Sequence, residues 1–439
     1  MPSEVYIHIP FCVKKCAYCD FLSFPADAGQ QRRYVDALLR EIRKTGEHLR
    51  EDRKTGKHLR VQSIFIGGGT PSLLPAEWIA EILREVCKQF EVPADAEISI
   101  EANPGTVDDR KLRIYREAGV NRISFGCQSF HDEELRLLGR IHSSHEIRES
   151  VGLARKAGFD NINLDLMSGL PGQTLSGWEN TLRQAAALQP EHISAYSLII
   201  EEGTPFFLRF GEGRDGPALP DEENSCDPAL PDEENNSGPA LPDEDTERRM
   251  YERTAEILAE AGYHQYEISN YAKEGYACRH NLGYWTGVPY FGFGLGASGY
   301  LPESVYCRIR HGDLCSIQKK DIRTEGGVME SRPEKQEEWI RYRSTDDLTK
   351  YLNGTGIYSE TEKLTREDLE AEFMMLGLRL TEGIEDTEFE RHFGDTIDSR
   401  YGLILEKYQK MGVLIREDGR TRLTRRGISV SNVILADFL

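Results

Sequence analysis

The sequence predicts an α/β protein, a partial (β/α)6 barrel followed by a small α+β C-terminal domain with winged-helix-like character. Three observations predict it. Through the first 200 residues, short apolar runs alternate with amphipathic helical stretches, which implies right-handed βαβ crossovers and a parallel sheet. The distinctive motifs fall mostly at the carboxyl ends of those runs, where such barrels place their chemistry. Near the C-terminus, three helical segments precede a hairpin turning at EDGR (417–420).

The six strands expected are EVYIHI (4–9), VQSIFIGGG (61–69), AEISIEAN (96–103), RISFGCQSF (122–130), NINLDLMSGLP (161–171) and HISAYSLII (192–200). Between them lie RRYVDALLREIRK, EWIAEILREVCKQF, DDRKLRIYREAG, SHEIRESVGLARKAG and LSGWENTLRQAAALQ, each with helical apolar spacing. The core barrel is expected over residues 1–210. Residues 211–247 read as an acidic, low-complexity insertion built on three PALPDE units, too short a period for a solenoid and too polar for a core. A second duplication, KTGEHLRED and RKTGKHLRV, repeats a basic helical segment at 44–61. Residues 248–325 form a barrel-associated region: a helix, a strand and the aromatic, Gly-rich stretch CRHNLGYWTGVPYFGFGLGASG (278–299). Residues 326–439 form the C-terminal segment. Its final helices and hairpin give the winged-helix pattern, and RTRLTRRG makes its end locally basic.

The chain has 439 residues and a formal net charge of −20, which argues against a general nucleic-acid binder, since phosphate binding needs clustered Lys and Arg. No apolar run is long enough to span a bilayer, and MPSEVYIHIPFC is neither a signal nor a transit peptide. A cytoplasmic protein is expected. Nine cysteines, an odd number, do not suggest a disulfide scaffold.

Three of the nine crowd into FCVKKCAYCDF, as Cys12, Cys16 and Cys19. A structural zinc site would want a fourth ligand; His8 is a conceivable one, but it lies on the strand. A [4Fe–4S] cluster normally takes four cysteines, one per iron. With three, one iron stays open to a chelating small molecule bearing an amino and a carboxylate group. Lys14, Lys15 and backbone N–H groups would offset part of the thiolate charge.

C-x3-C-x2-C with Tyr18 just before the third cysteine resembles the radical S-adenosylmethionine superfamily. YIHIPFCVKKCAYCDF, IGGGTPSLL, EANP, ISFGCQSF, LGRIH, NLDLMSGLPGQT and HNLGYW follow in the order of the oxygen-independent coproporphyrinogen III oxidase group. The resemblance covers nearly all of the chain except the two duplicated stretches. It implies a radical-SAM barrel, a [4Fe–4S] cluster on Cys12, Cys16 and Cys19, and S-adenosylmethionine held by Tyr6, Tyr18, Gly68, Gly69, Thr70, Glu101, Gln128, Arg140 and Asp165. Those roles suit the residues. Glycines let backbone approach a ligand closely, and a carboxylate such as Glu101 can accept two ribose hydroxyls. The Gly-rich strand end lacks the Lys of a P-loop, and GLGASG (294–299) is not followed by a helix, so neither is read as a nucleotide site.

Two departures separate this chain from the oxidase proper. Phe21 stands where the oxidase has a further cysteine, and only eleven residues precede Cys12. Both point to the haem-chaperone branch, as does HNxxYW: His280, Asn281, Tyr284 and Trp285. On that resemblance His280 ligates haem iron while Tyr284 and Trp285 flank the macrocycle; the bland reading is simple packing. The implied function is a haem chaperone that binds haem as cargo and delivers it to client haem proteins. Implied partners are those clients, with peripheral membrane association where they are membrane-bound, and a one-electron donor such as flavodoxin or ferredoxin. Cleavage of S-adenosylmethionine is an open expectation; coproporphyrinogen dehydrogenase activity is not expected. The alternatives are that oxidase activity and a cluster-bearing binding module without radical chemistry.

Overall fold

Six parallel strands in sequence order form the centre of a computed structural model, which describes residues 3–49, 59–211, 239–311, 338–355 and 357–439. They are β1 (Ser3–Ile9), β2 (Val61–Gly68), β3 (Glu97–Ala102), β4 (Arg122–Gln128), β5 (Ile162–Ser168) and β6 (His192–Ser197). All six lie where the apolar runs predicted. Strand alternation explains their use. In β1, Val5, Ile7 and Ile9 are fully buried in the main hydrophobic core. The alternate residues Glu4, Tyr6 and His8 face the inside of the curved sheet and carry its polar contacts.

The sheet stays open, as a partial barrel should. Beyond β1 it continues through the strands Tyr290–Phe293, Ser298–Pro302, Trp339–Ser344 and Tyr358–Leu364; beyond β6 it continues through Asn270–Ala272 and His264–Gln265. The connecting helices carry local start signals. Ser143 and Glu146 form a capping box at helix Ser144–Lys156, and Asp108 and Thr174 cap two others. Each cap contributes on the order of 1 kcal/mol.

The Gly-rich turn of GLGASG has a structural use. The N–H of Gly294, at φ 105°, donates to Oε2 of Glu41 at 3.1 Å, and the Tyr351 hydroxyl donates to the same oxygen at 2.7 Å. Glu41 is buried on the helix Ala28–Leu49, so it braces the sheet extension against that helix.

The C-terminal segment divides. Its strands Trp339–Ser344 and Tyr358–Leu364 belong to the large sheet, and the second core, with Met374, Phe389 and Leu405, is built from the part that follows. Helices Arg366–Gly377, Asp386–Phe393 and Ile397–Lys410 precede the hairpin Leu414–Glu417 and Arg420–Leu423, to which Ile384–Glu385 adds a third strand. This is the winged-helix order. The basic hairpin is largely neutralised within the domain: Arg416 pairs with Asp386 and Asp398, Arg420 with Glu385, and Arg422 with Glu417.

The acidic insertion is described only at its two ends. Most of it, residues 212–238, lies outside the described residues, as do 50–58 of the basic duplication. The third PALPDE unit lies within the described residues. The Ala240 carbonyl accepts from the Gly172 N–H at 2.7 Å, and Asp243 caps the helix Glu244–Glu260 by accepting from Thr246 at 2.7 Å. Its acidic residues start a helix instead of extending a loop, because carboxylates suit the first turn.

Candidate functional site

The cysteine loop leaves β1 at the carboxyl end of the sheet and is stitched to β2. The Gly69 N–H donates to the Ile9 carbonyl at 2.9 Å and the Thr70 N–H to the Phe11 carbonyl at 2.8 Å. A side chain at Gly69 would place its Cβ 2.7 Å from that Phe11 oxygen, so only glycine allows this approach. Further along, Ala17 donates to the Leu138 carbonyl at 3.1 Å, which ties the loop to LGRIH. Tyr18 packs beside Leu138, Met167 and Phe206.

Cys12, Cys16 and Cys19 are half-buried free thiols. A chain of polar contacts joins two of them. Cys12 Sγ lies 3.5 Å from Thr70 Oγ1. Asn103 Nδ2 donates to that oxygen at 3.0 Å, while Arg140 Nη2 donates to Asn103 Oδ1 at 2.7 Å. Arg140 Nη1 lies 3.6 Å from Cys16 Sγ. Arg140 also donates to the Gly126 carbonyl, so β2, β3, β4 and LGRIH all hold this arc. Burial, with the neighbouring Cys16, pushes the Cys19 thiol up to about 11.

Among the described residues no three His, Cys, Asp or Glu side chains are placed to hold a single ion. His8 is occupied elsewhere. Its Nε2 lies 2.9 Å from the Leu22 carbonyl and its Nδ1 3.0 Å from the Tyr6 hydroxyl. A carbonyl only accepts, so Nε2 carries the proton and Nδ1 accepts from Tyr6.

The other expected residues gather at the same end. Gly68, at φ 116°, donates its N–H to Glu101 Oε2 at 3.0 Å. Burial, then the charge of Asp165, pushes the Glu101 carboxyl up to about 8. Asp165 accepts from Ser124 at 2.9 Å and Asn163 at 2.7 Å, and burial raises its pKa. Gln128 sits at a β-bulge between β4 and β5 with φ 65°, rare for a non-glycine residue. Such strain tends to mark positions where a side chain is aimed for a purpose.

His280, Tyr284 and Trp285 are not brought to this end. They lie on helix Arg279–Trp285 at the amino ends of the strands. His280 is 1 % exposed. Its Nδ1 lies 2.8 Å from Ser63 Oγ and its Nε2 3.1 Å from the Tyr284 hydroxyl, while its N–H faces Glu97 at 3.3 Å. Burial, then Arg122, lowers its pKa to about 3. Neither ring nitrogen is open to an iron, so this geometry favours the packing reading over ligation. Trp285 lies under the Arg379 guanidinium, 4.3 Å from its ring centroid, and so joins the helix to the C-terminal domain.

Asn103 was missed as a site residue, although EANP was singled out. It stands two residues after Glu101, hence on the same face, and that alternation is the signal that could have found it. His142 of LGRIH also lines the small cavity with Cys16, Asn103 and Arg140.

Residues 6–185 match the family model of the Radical SAM superfamily, and residues 364–430 that of the HemN C-terminal domain. The chain is 34 % identical to Heme chaperone HemW of Bacillus subtilis over 99 % of both chains. It is 42 % identical to Heme chaperone HemW of Escherichia coli over 68 % of this chain and 70 % of that protein. Among solved structures, coproporphyrinogen III oxidase (HemN) from Escherichia coli, a radical SAM enzyme, shares the fold. Its TM-score is 0.72 at 22 % identity, covering 100 % of this chain and 90 % of that one.

Proposed function

Because the chain belongs to the HemW family of radical SAM proteins, we propose that it is a haem chaperone that binds haem and hands it to client haem proteins. The observation that carries this reading is the end-to-end likeness to a relative named Heme chaperone HemW. Phe21, in the place of the oxidase's further thiol, agrees with it.

In this reading Cys12, Cys16 and Cys19 hold a [4Fe–4S] cluster and leave one iron for S-adenosylmethionine. Together these groups supply one-electron cleavage chemistry. The chain's own residues position and shield. The arc of Thr70, Asn103 and Arg140 orients two of the thiolates. The bare backbone of Gly68 and Gly69 admits a ligand closely, and Glu101, with Asp165 behind it, offers acceptors for hydroxyl groups. Tyr6, Tyr18 and Gln128 complete the set. A one-electron donor of the flavodoxin or ferredoxin kind, and surface contact with membrane-bound clients, belong to the same proposal. No described helix is long and apolar enough to cross a membrane.

The test is anaerobic reconstitution followed by two assays on one sample. Iron and sulfide near four each per chain are expected, together with a haem absorption band on titration. Coproporphyrinogen III, incubated with S-adenosylmethionine and reductant, is expected to return unchanged. Its decarboxylation, or the lack of any haem band, would overturn the reading.

A further inference from the structure

Two tyrosine–histidine pairs stand one below the other inside the barrel. In the upper pair, near the cysteine loop, the Tyr6 hydroxyl donates to His8 Nδ1 at 3.0 Å. In the lower pair the Tyr284 hydroxyl lies 3.1 Å from His280 Nε2. Phe65 is stacked between them, its ring centroid 6.4 Å from Tyr6 and 5.2 Å from His280. The row continues outward from Tyr284. Tyr290 follows at 4.7 Å, Tyr300 at a further 6.4 Å, and Trp339 is stacked on Tyr300 at 4.6 Å. Trp339 is partly exposed, on a strand of the sheet extension.

We propose that this row is a one-electron conduit, through which an electron from Trp339 reaches a radical formed at the cysteine-loop end of the barrel. The proposal goes beyond haem handling and rests on the radical SAM reading only for the source of the oxidant. Packing alone does not call for these side chains, because phenylalanine would fill the same space. Each of the two inner phenols instead has an imidazole nitrogen within hydrogen-bond reach, at 3.0 Å for Tyr6 and 3.1 Å for Tyr284. Burial keeps both imidazoles neutral, and an oxidised phenol is a far stronger acid than either imidazolium.

The transfer balances. A one-electron oxidant, of the organic-radical class an uncoupled radical cofactor generates, takes an electron from Tyr6, whose proton passes to His8 Nδ1. An electron from Tyr284 crosses Phe65 and refills Tyr6, the proton on His8 returns, and the Tyr284 proton passes to His280 Nε2. Trp339 then refills Tyr284 across the rings of Tyr300 and Tyr290, which keep their protons and are not themselves left oxidised, and the proton on His280 returns. A thiolate from solvent reduces the tryptophan radical cation and becomes a thiyl radical. The net change is one electron moved from thiolate to the organic radical, which takes up one proton from solvent and ends with a C–H bond, while every proton of the protein is back where it began.

The test uses the full chain, metal-free, carrying a ruthenium photo-oxidant on Cys16 with its other accessible cysteines replaced by serine. After a flash, transient absorption and electron paramagnetic resonance locate the radical. A tryptophan radical is expected in the parent and in Trp78→Phe, which lies off the row. It should vanish in Trp339→Phe and fall at least about tenfold in rate in Tyr284→Phe, with circular dichroism of the parent retained. Absence of a tryptophan radical in the parent, or an unchanged rate in folded Tyr284→Phe, would overturn the conduit. Neither haem nor cluster enters this experiment, so its failure is separate from failure of the chaperone reading.

Discussion

Arg140 and Asn103 meet side chain to side chain, Nη2 donating to Oδ1 at 2.7 Å. The same amide donates to Thr70 at 3.0 Å, so one residue links the contacts of Cys12 to those of Cys16. Asn103→Ala removes both bonds and leaves a partly buried guanidinium short of an acceptor. We expect a loss of about 1–3 kcal/mol in unfolding free energy. Faster loss of iron from the reconstituted protein should accompany it, measured by chelator challenge. Iron retention equal to the parent would show that the arc does not hold the thiolates.

Glu41 supplies a pH dependence. Burial pushes its carboxyl from 4.5 up to about 7, against the bonds from Tyr351 and Gly294. The folded state therefore holds this proton more tightly than the unfolded chain. The resulting stabilisation is complete below the ordinary carboxyl pKa and is lost as pH rises from about 4.5 to 7. A shift of that size is worth on the order of 3 kcal/mol. Glu4 and Glu101, both raised to about 8, act in the same direction, so the comparison must be with a variant. Glu41→Gln should flatten the melting temperature against pH across this window, and an identical slope would remove Glu41 from the account.

His280 is expected to matter for stability rather than for iron ligation. Replacing it by alanine deletes contacts to Ser63 and Tyr284 and the stack on Phe65. A cost of about 2–4 kcal/mol follows, read from urea unfolding, with the haem absorption band retained. Loss of that band at unchanged stability would mean that the helix opens and His280 ligates after all.

Gly283, inside the HNxxYW helix, has no room for a side chain. A Cβ there would lie 2.1 Å from Oε1 of the buried Glu4. Gly283→Ala should destabilise by about 1–3 kcal/mol despite alanine's better helix propensity. Adding Glu4→Ala should recover part of that loss. Failure of the second change to help would place the clash elsewhere.

Much was legible in advance, and for physical reasons. Strand and helix periodicities are local properties, so the six core strands and their helices fell where the apolar spacing put them. The cysteine triad is likewise a feature of eight consecutive residues. The third PALPDE unit reads as low-complexity by composition, and only its position ahead of an apolar helix makes Asp243 a cap. His280 was open to two readings because a sequence shows a histidine beside aromatics but not which end of the barrel they occupy.

By itself, then, the sequence determined the repeating strand–helix architecture, the three-thiol loop and the chemical identity of the residues around it. Tertiary structure alone decided which of those residues meet. Asn103 and Arg140 are separated by 37 positions, and Ser63 and His280 by 217. Strand direction decides which end of the sheet each segment reaches: the cysteines follow the carboxyl end of β1, whereas HNxxYW joins a strand antiparallel to β6 to one parallel to β1 and so lies at the amino ends.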